Sequence, residues 1–165
     1  MKELDNTLII GIGNNTRQDD GLGWYFLDKL QEANFNPKDL LYKYQLMVED
    51  AEIISAYKTV VFVDASKEHT KEGFSLEQIE PAEHVLFSTH EVPPSQILNL
   101  SSAIYNKKPT AFVLKIDGYQ WDFKIELSKQ AQLNLQQAYH YFMSEFLSKI
   151  IDNTANTNKF KANTT

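Results

Sequence analysis

Short apolar runs alternate along this chain with longer segments in which apolar residues recur every three or four positions. Leu8-Ile9-Ile10-Gly11-Ile12-Gly13 is apolar, rich in isoleucine and stopped by glycine, as a buried strand is. A polar loop, Asn14 to Asp20, follows it. In Gly21 to Leu30 the residues Leu22, Phe26, Leu27 and Leu30 then fall on one helical face. Asn36-Pro37-Lys38-Asp39 predicts a turn, Leu40 to Leu46 an extended run, and Ala51 to Tyr57 a short helix. Thr59-Val60-Val61-Phe62-Val63-Asp64 is an unbroken apolar run, the pattern of a strand covered on both faces.

In the second half, Glu83 to Ser88 reads as a further strand. Pro93-Pro94 opens a helix through about Tyr105, proline being welcome in a first turn. Ala111 to Ile116 is another strand, and Asp117-Gly118 a turn. Leu127 to about Ile150 predicts a long helix with Leu133, Leu135, Ala138, Phe142 and Phe146 on or near one face. Ser128 is placed to cap it, without the Glu or Gln three residues on that a capping box needs. After Asp152 the periodicity is lost. The expectation is one domain over residues 1–151 and a disordered polar tail over 152–165.

Strands separated by helices imply an α/β fold, a parallel sheet with helices on both faces. In the flavodoxin-like order 2-1-3-4-5, strands 1 and 3 are neighbours and a crevice opens at their carboxyl ends. The loop after strand 1 carries Asp19 and Asp20, strand 3 ends in Asp64, and strand 4 runs into Ser88-Thr89-His90. Adjacent strands lie about 4.8 Å apart, so these side chains can meet around one ion.

Composition narrows the function. The length of 165 residues suits one domain, and 42% hydrophobic residues suffice for a core. The absence of cysteine excludes disulfide scaffolds, cysteine nucleophiles and thiolate zinc sites. A net charge of -6 argues against a nucleic-acid grip. No signal-peptide pattern opens the chain, and no apolar stretch approaches the roughly 18 residues of a spanning helix, so a cytoplasmic protein is expected.

Gly11-Ile12-Gly13-Asn14-Asn15-Thr16 holds two glycines of the dinucleotide fingerprint but has Thr16 in place of the third, and the acids behind it would repel a pyrophosphate. The simpler role of these glycines is a tight turn out of the strand. One of Asp19 and Asp20 is expected to cap the following helix, leaving the other to face the crevice. A buried Asp64 needs a hydrogen bond, a partner or a metal, and the following loop could supply the first. His90 heads His90-Glu91-Val92-Pro93-Pro94, with no second histidine to complete H-E-x-x-H, and no G-x-S-x-G elbow occurs. His84, within a predicted strand, suggests a packing role, whereas His69 and His140 read as surface residues. Two carboxylates and an imidazole suit borderline divalent ions such as nickel or zinc, with positions left open for water or substrate. Trp24, Tyr25, Phe26 and the aromatics of the last helix read as core and groove residues.

Taken in order, Gly11-Ile12-Gly13-Asn14, Asp19-Asp20-Gly21-Leu22-Gly23, Phe62-Val63-Asp64-Ala65 and Thr89-His90 resemble the maturation endopeptidases of nickel–iron hydrogenases, over about Leu8 to Leu147. The resemblance implies a three-layer sandwich around a five-stranded, mostly parallel sheet. It also implies a hydrolase that removes a C-terminal peptide from the hydrogenase large-subunit precursor once nickel is in place. Asp20, Asp64 and His90 fall on the family's metal-contacting positions and are the catalytic candidates. Nickel would come with the precursor, another divalent ion such as zinc or cadmium substituting in vitro, and the chemistry would be of aspartyl or metal-dependent type. Val48 stands where a subset of the family has proline. Two other readings stand beside it: a non-catalytic metal-binding or chaperone-like module for an immature metalloenzyme, on the same residues, and a small-nucleotide binder on the Gly-x-Gly loop.

Overall fold

The structure, a computed structural model, describes residues 1–84 and 91–150. Five strands form one sheet: β1 (Thr7–Ile12), β2 (Leu40–Lys43), β3 (Thr59–Ser66), β4 (Phe74–Ile79) and β5 (Thr110–Asp117). Their spatial order is β2-β1-β3-β5-β4; β1, β2, β3 and β5 run parallel, and β4 pairs antiparallel with β5. The helices are α1 (Leu22–Glu32), α2 (Asp50–Ser55), α3 (Pro94–Tyr105) and α4 (Lys129–Tyr141), the last continuing through a π turn at Phe142–Phe146.

Strand periodicity sorts the core into two layers. Ile9, Val61, Val63, Leu114 and Ile116 pack against α1 and α4, through Phe26, Leu27, Leu135, Ala138 and Phe142. Leu8, Ile10, Ile12, Val60 and Phe62 pack against α2 and α3, through Ile54, Ile97 and Leu98. The result is the expected three-layer sandwich. Phe26 meets Phe142 edge to face at 5.3 Å between centroids, in the arrangement their ring quadrupoles favour. Each fully buried side chain of this size contributes about 1.5–3 kcal/mol from leaving water. Ser128 caps α4, its hydroxyl accepting from the Ala131 N–H at 3.3 Å.

Several expectations are corrected. The fourth strand is Phe74–Ile79, not Glu83 to Ser88; Glu83 and His84 lie in an exposed bend, and residues 85–88 are outside the described residues. The order is therefore 2-1-3-5-4, with an antiparallel edge strand. β4 is an edge strand with no fully buried residue, so polar Ser75, Glu77 and Gln78 dilute its apolar signal. His84 accordingly has no packing role in a strand. β2 stops at Lys43 rather than Leu46. Leu133 is 58% exposed, turned away from the face that Leu135 and Ala138 bury. The polar tail expected over 152–165 lies outside the described residues. Among the described residues no helix is long and apolar enough to cross a membrane.

Candidate functional site

The carboxyl ends of β1 and β3 are held together by the close approach of α1. A Cβ on Gly23 would lie 2.5 Å from both the Ile12 and Val63 carbonyl oxygens, so only glycine lets the helix seat over this pair of strands. Beyond β1 the chain turns sharply at Gly13, whose φ of +140° suits glycine and whose N–H donates to the Lys43 carbonyl at 2.9 Å. The loop then closes on itself. The Asn14 N–H donates to the Asp20 carbonyl at 3.0 Å, and the Asp20 N–H to the Arg17 carbonyl at 3.1 Å. These packing demands account for the glycines without a nucleotide.

Asp19 and Asp20 diverge, though not as a helix cap and a free acid. The N-cap position of α1 is Gly21, with no side-chain cap bond. Asp19, fully buried, instead accepts from the Tyr119 N–H at 2.7 Å, the Gln120 N–H at 2.9 Å, the Ser128 N–H at 2.8 Å and the Ser128 hydroxyl at 2.7 Å. It latches the loop between β5 and α4. Gln18, at φ +47°, adds to the latch, its side chain donating to Gln120 Oε1 and accepting from the Asp122 N–H. Such a positive φ on a long side chain is a strained conformation held by its surroundings.

Asp20 is left at the crevice with Asp64. Partial burial raises the Asp20 carboxyl above the ordinary carboxylate range; Glu91 adds to the rise, and Arg17, an Asn14 backbone contact and Lys67 oppose it. Asp64 is pushed further, to about 7. Burial is the main cause, followed by the charges of Asp20 and Glu91, against the Ala65 N–H, which donates to Oδ1 at 2.8 Å, and the charge of Lys115. The charge of Asp20 helps to hold the proton on Asp64. Glu91 is the group that sequence reasoning passed over. Its signal was slight, a position beside His90 in a segment with no regular element.

His90 lies outside the described residues, so the structure places two of the three predicted contacts. Among the described residues no three His, Cys, Asp or Glu side chains stand close enough together to hold a metal ion. His69 stacks on Tyr119 at 4.6 Å between centroids, and both it and His140 are exposed. Trp24 and Tyr25 are half-buried and Phe26 is core; Trp24 donates from Nε1 to the Lys43 carbonyl at 3.0 Å. A cavity of about 630 Å³ opens beside Asp64, with Ile12, Phe62, Ile79 and Val113 in its apolar lining.

No family model and no curated protein matches this chain. Solved structures do. The hydrogenase maturating endopeptidase HybD from Escherichia coli is similar at a TM-score of 0.66 and 13% identity, over 87% of this chain and 93% of that one. The hydrogenase 2 maturation peptidase from a Thaumarchaeota archaeon is similar at a TM-score of 0.61 and 19% identity, over 86% and 97%. The NiFe hydrogenase maturation protease HycI from Thermococcus kodakarensis KOD1 is similar at a TM-score of 0.61 and 23% identity, over 90% and 93%. With most of each chain superposed, this protein has the α/β fold of the hydrogenase maturation endopeptidases.

Proposed function

We propose that this chain is a cytoplasmic endopeptidase that removes the C-terminal peptide of a nickel–iron hydrogenase large-subunit precursor after nickel insertion. Asp20, Asp64 and His90 meet the nickel, which belongs to the substrate; zinc or cadmium would stand in for it in vitro. The observation that carries the reading is the pairing of Asp20 and Asp64 at the carboxyl edge of β1 and β3, on a fold shared with enzymes of that name.

The donor chemistry fits. Two half-buried carboxylates whose charges act on each other are unfavourable alone, and an incoming cation offsets both the repulsion and the partial burial. The substrate's nickel would supply a polarised scissile carbonyl or an activated water. Asp64, with its proton held to about pH 7, can take up or return a proton at its carboxylate oxygen near neutrality. Exposed apolar side chains flank this edge on loops from both sides. Tyr44 (68% exposed) and Val48 (58%) follow β2, and Phe123 (83%) and Ile125 (75%) follow β5. Such rims suit a protein substrate rather than a small molecule.

Intact-mass spectrometry of nickel-loaded and nickel-free precursor tests the reading. Loss of a discrete C-terminal peptide from the loaded sample alone is expected, with Asp20→Asn abolishing it while the fold persists. Normal trimming by Asp20→Asn would remove that residue from the mechanism. Tight binding with no mass change would make the chain a non-catalytic module.

A further inference from the structure

We infer that the cavity beside Asp64 is a specificity pocket for a peptide residue that carries a carboxylate on an apolar stem, read by Lys67 and Lys115. Its place next to a cut rests on the endopeptidase reading; the binding itself does not.

The sheet register builds the pocket. Asp64 of β3 lies opposite Lys115 of β5, and Phe62 lies opposite Val113 two residues before them. With a two-residue period, all four side chains share one face, about 4.8 Å between the strands. Phe62 and Val113, with Ile12 and Ile79, line the apolar part of the cavity, and Pro93 and Pro94 stand at the start of α3 beside them. Lys67 and Lys115 add two cationic residues to the lining. Neither lysine is in an ion pair among the described residues, where those pairs are Lys38 with Glu3 and Lys43 with Asp50. The Lys67 ammonium lies over the Trp121 ring at 5.3 Å, a contact that holds it at the edge of the cavity. Lys115 is half-buried, where a charge–charge contact is screened less than on the open surface.

The space is of the size that holds a small ligand, within the usual range of about 300–1,000 Å³. An apolar side chain alone would leave both ammonium groups unused. A purely ionic ligand would leave the Ile12, Phe62 and Val113 surface bare. A residue with both features satisfies both: the methylenes of a glutamate side chain against the apolar wall, or an apolar residue that ends in a free C-terminal carboxylate. Asp64, opposite Lys115 in the register, and Glu68 also line the cavity, so an incoming carboxylate competes with them for the lysines.

Nuclear magnetic resonance titration of the full chain with three short peptides tests this. Acetyl-Leu-Glu-amide offers a side-chain carboxylate, acetyl-Leu-Leu with a free terminus a terminal one, and acetyl-Leu-Gln-amide neither. At least one carboxylate peptide should shift the backbone signals of Ala65, Ser66 and Lys115 and bind about fivefold or more tightly than the neutral one. Which of the two does so assigns the source of the carboxylate. Lys115→Gln should remove that margin and leave the neutral peptide unchanged. Should Lys115→Gln lose the native spectrum, Lys67→Gln, at an exposed position, makes the same comparison. Equal binding of all three peptides, shifts confined to another surface, or no saturable shift at millimolar peptide would overturn the pocket. Because binding is read without cleavage, failure of the mass-spectrometric assay leaves this outcome standing, and the converse holds as well.

Discussion

Two aspartates near one edge of the sheet, Asp19 buried and Asp64 half-buried, live in opposite surroundings. Asp19 sits in the seam between the β1 loop and the segment leading to α4, where four N–H and O–H groups aim at its carboxylate. Asp64 sits at the mouth, where among the described residues one N–H, from Ala65, meets it and the neighbouring charges of Asp20 and Glu91 oppose it. The more deeply buried of the two is the structural one, so burial by itself does not mark a carboxylate as reactive. The supply of donors does. A carboxylate whose lone pairs are filled from the backbone holds the chain together, and one left short of donors keeps its affinity for a proton or a cation.

Breaking this contrast gives the predictions, the largest effect first. Asp64→Asn removes the proton acceptor and should lower precursor processing by about 100-fold or more in a single-turnover assay. Its stability in denaturant melts below about pH 4, where the parent's Asp64 is protonated whether folded or unfolded, should change by less than about 1 kcal/mol, because so few native bonds depend on it. Processing within tenfold of the parent (roughly 1.4 kcal/mol) would sink the reactive assignment. Asp19→Ala has the reverse signature. Several buried donors lose their acceptor at once, and the unfolding free energy should fall by about 3–5 kcal/mol in guanidinium melts. A loss below about 1 kcal/mol would mean that water replaces the latch.

The pH dependence of stability sharpens the same point. The Asp64 carboxyl is raised from 3.8 to about 7 on folding, so between these values the native state holds a proton that the unfolded chain has released. Its contribution is therefore full below pH 4 and is lost as the pH rises through 7, with a slope of at most about 1.4 kcal/mol per unit. The stability of the parent relative to Asp64→Asn should decline over that window. A flat or rising difference would contradict the donor-poor environment. The smallest effect is expected at the rim. Phe123→Ser should leave stability within about 0.5 kcal/mol. It should weaken precursor binding roughly fivefold in a calorimetric titration, as loss of an exposed aromatic contact does.

How far the fold was legible follows from the range of the forces involved. The runs Leu8–Ile12, Thr59–Val63 and Ala111–Ile116 announce themselves because a strand covered on both faces must be apolar throughout. β4 escaped notice because an edge strand has no such requirement, and the polar residues of Phe74–Ile79 hide it. The adjacency of strands 1 and 3 followed from α/β topology, and with it the meeting of Asp20 and Asp64.

The sequence by itself determined the α/β class, the two-layered core and the ends of the strands where chemistry can gather. Hydrophobic periodicity is local, and each apolar run needs only its own residues to declare a face. Tertiary structure alone decided the roles of the polar residues. Asp19 and Asp20 are adjacent in sequence, yet one finds its partners 100 to 109 positions downstream and the other finds Asp64. Lys115 came to the pocket only through its register with Asp64. A carboxylate's work depends on donors and charges within a few ångströms, and folding draws these from segments that no local pattern connects.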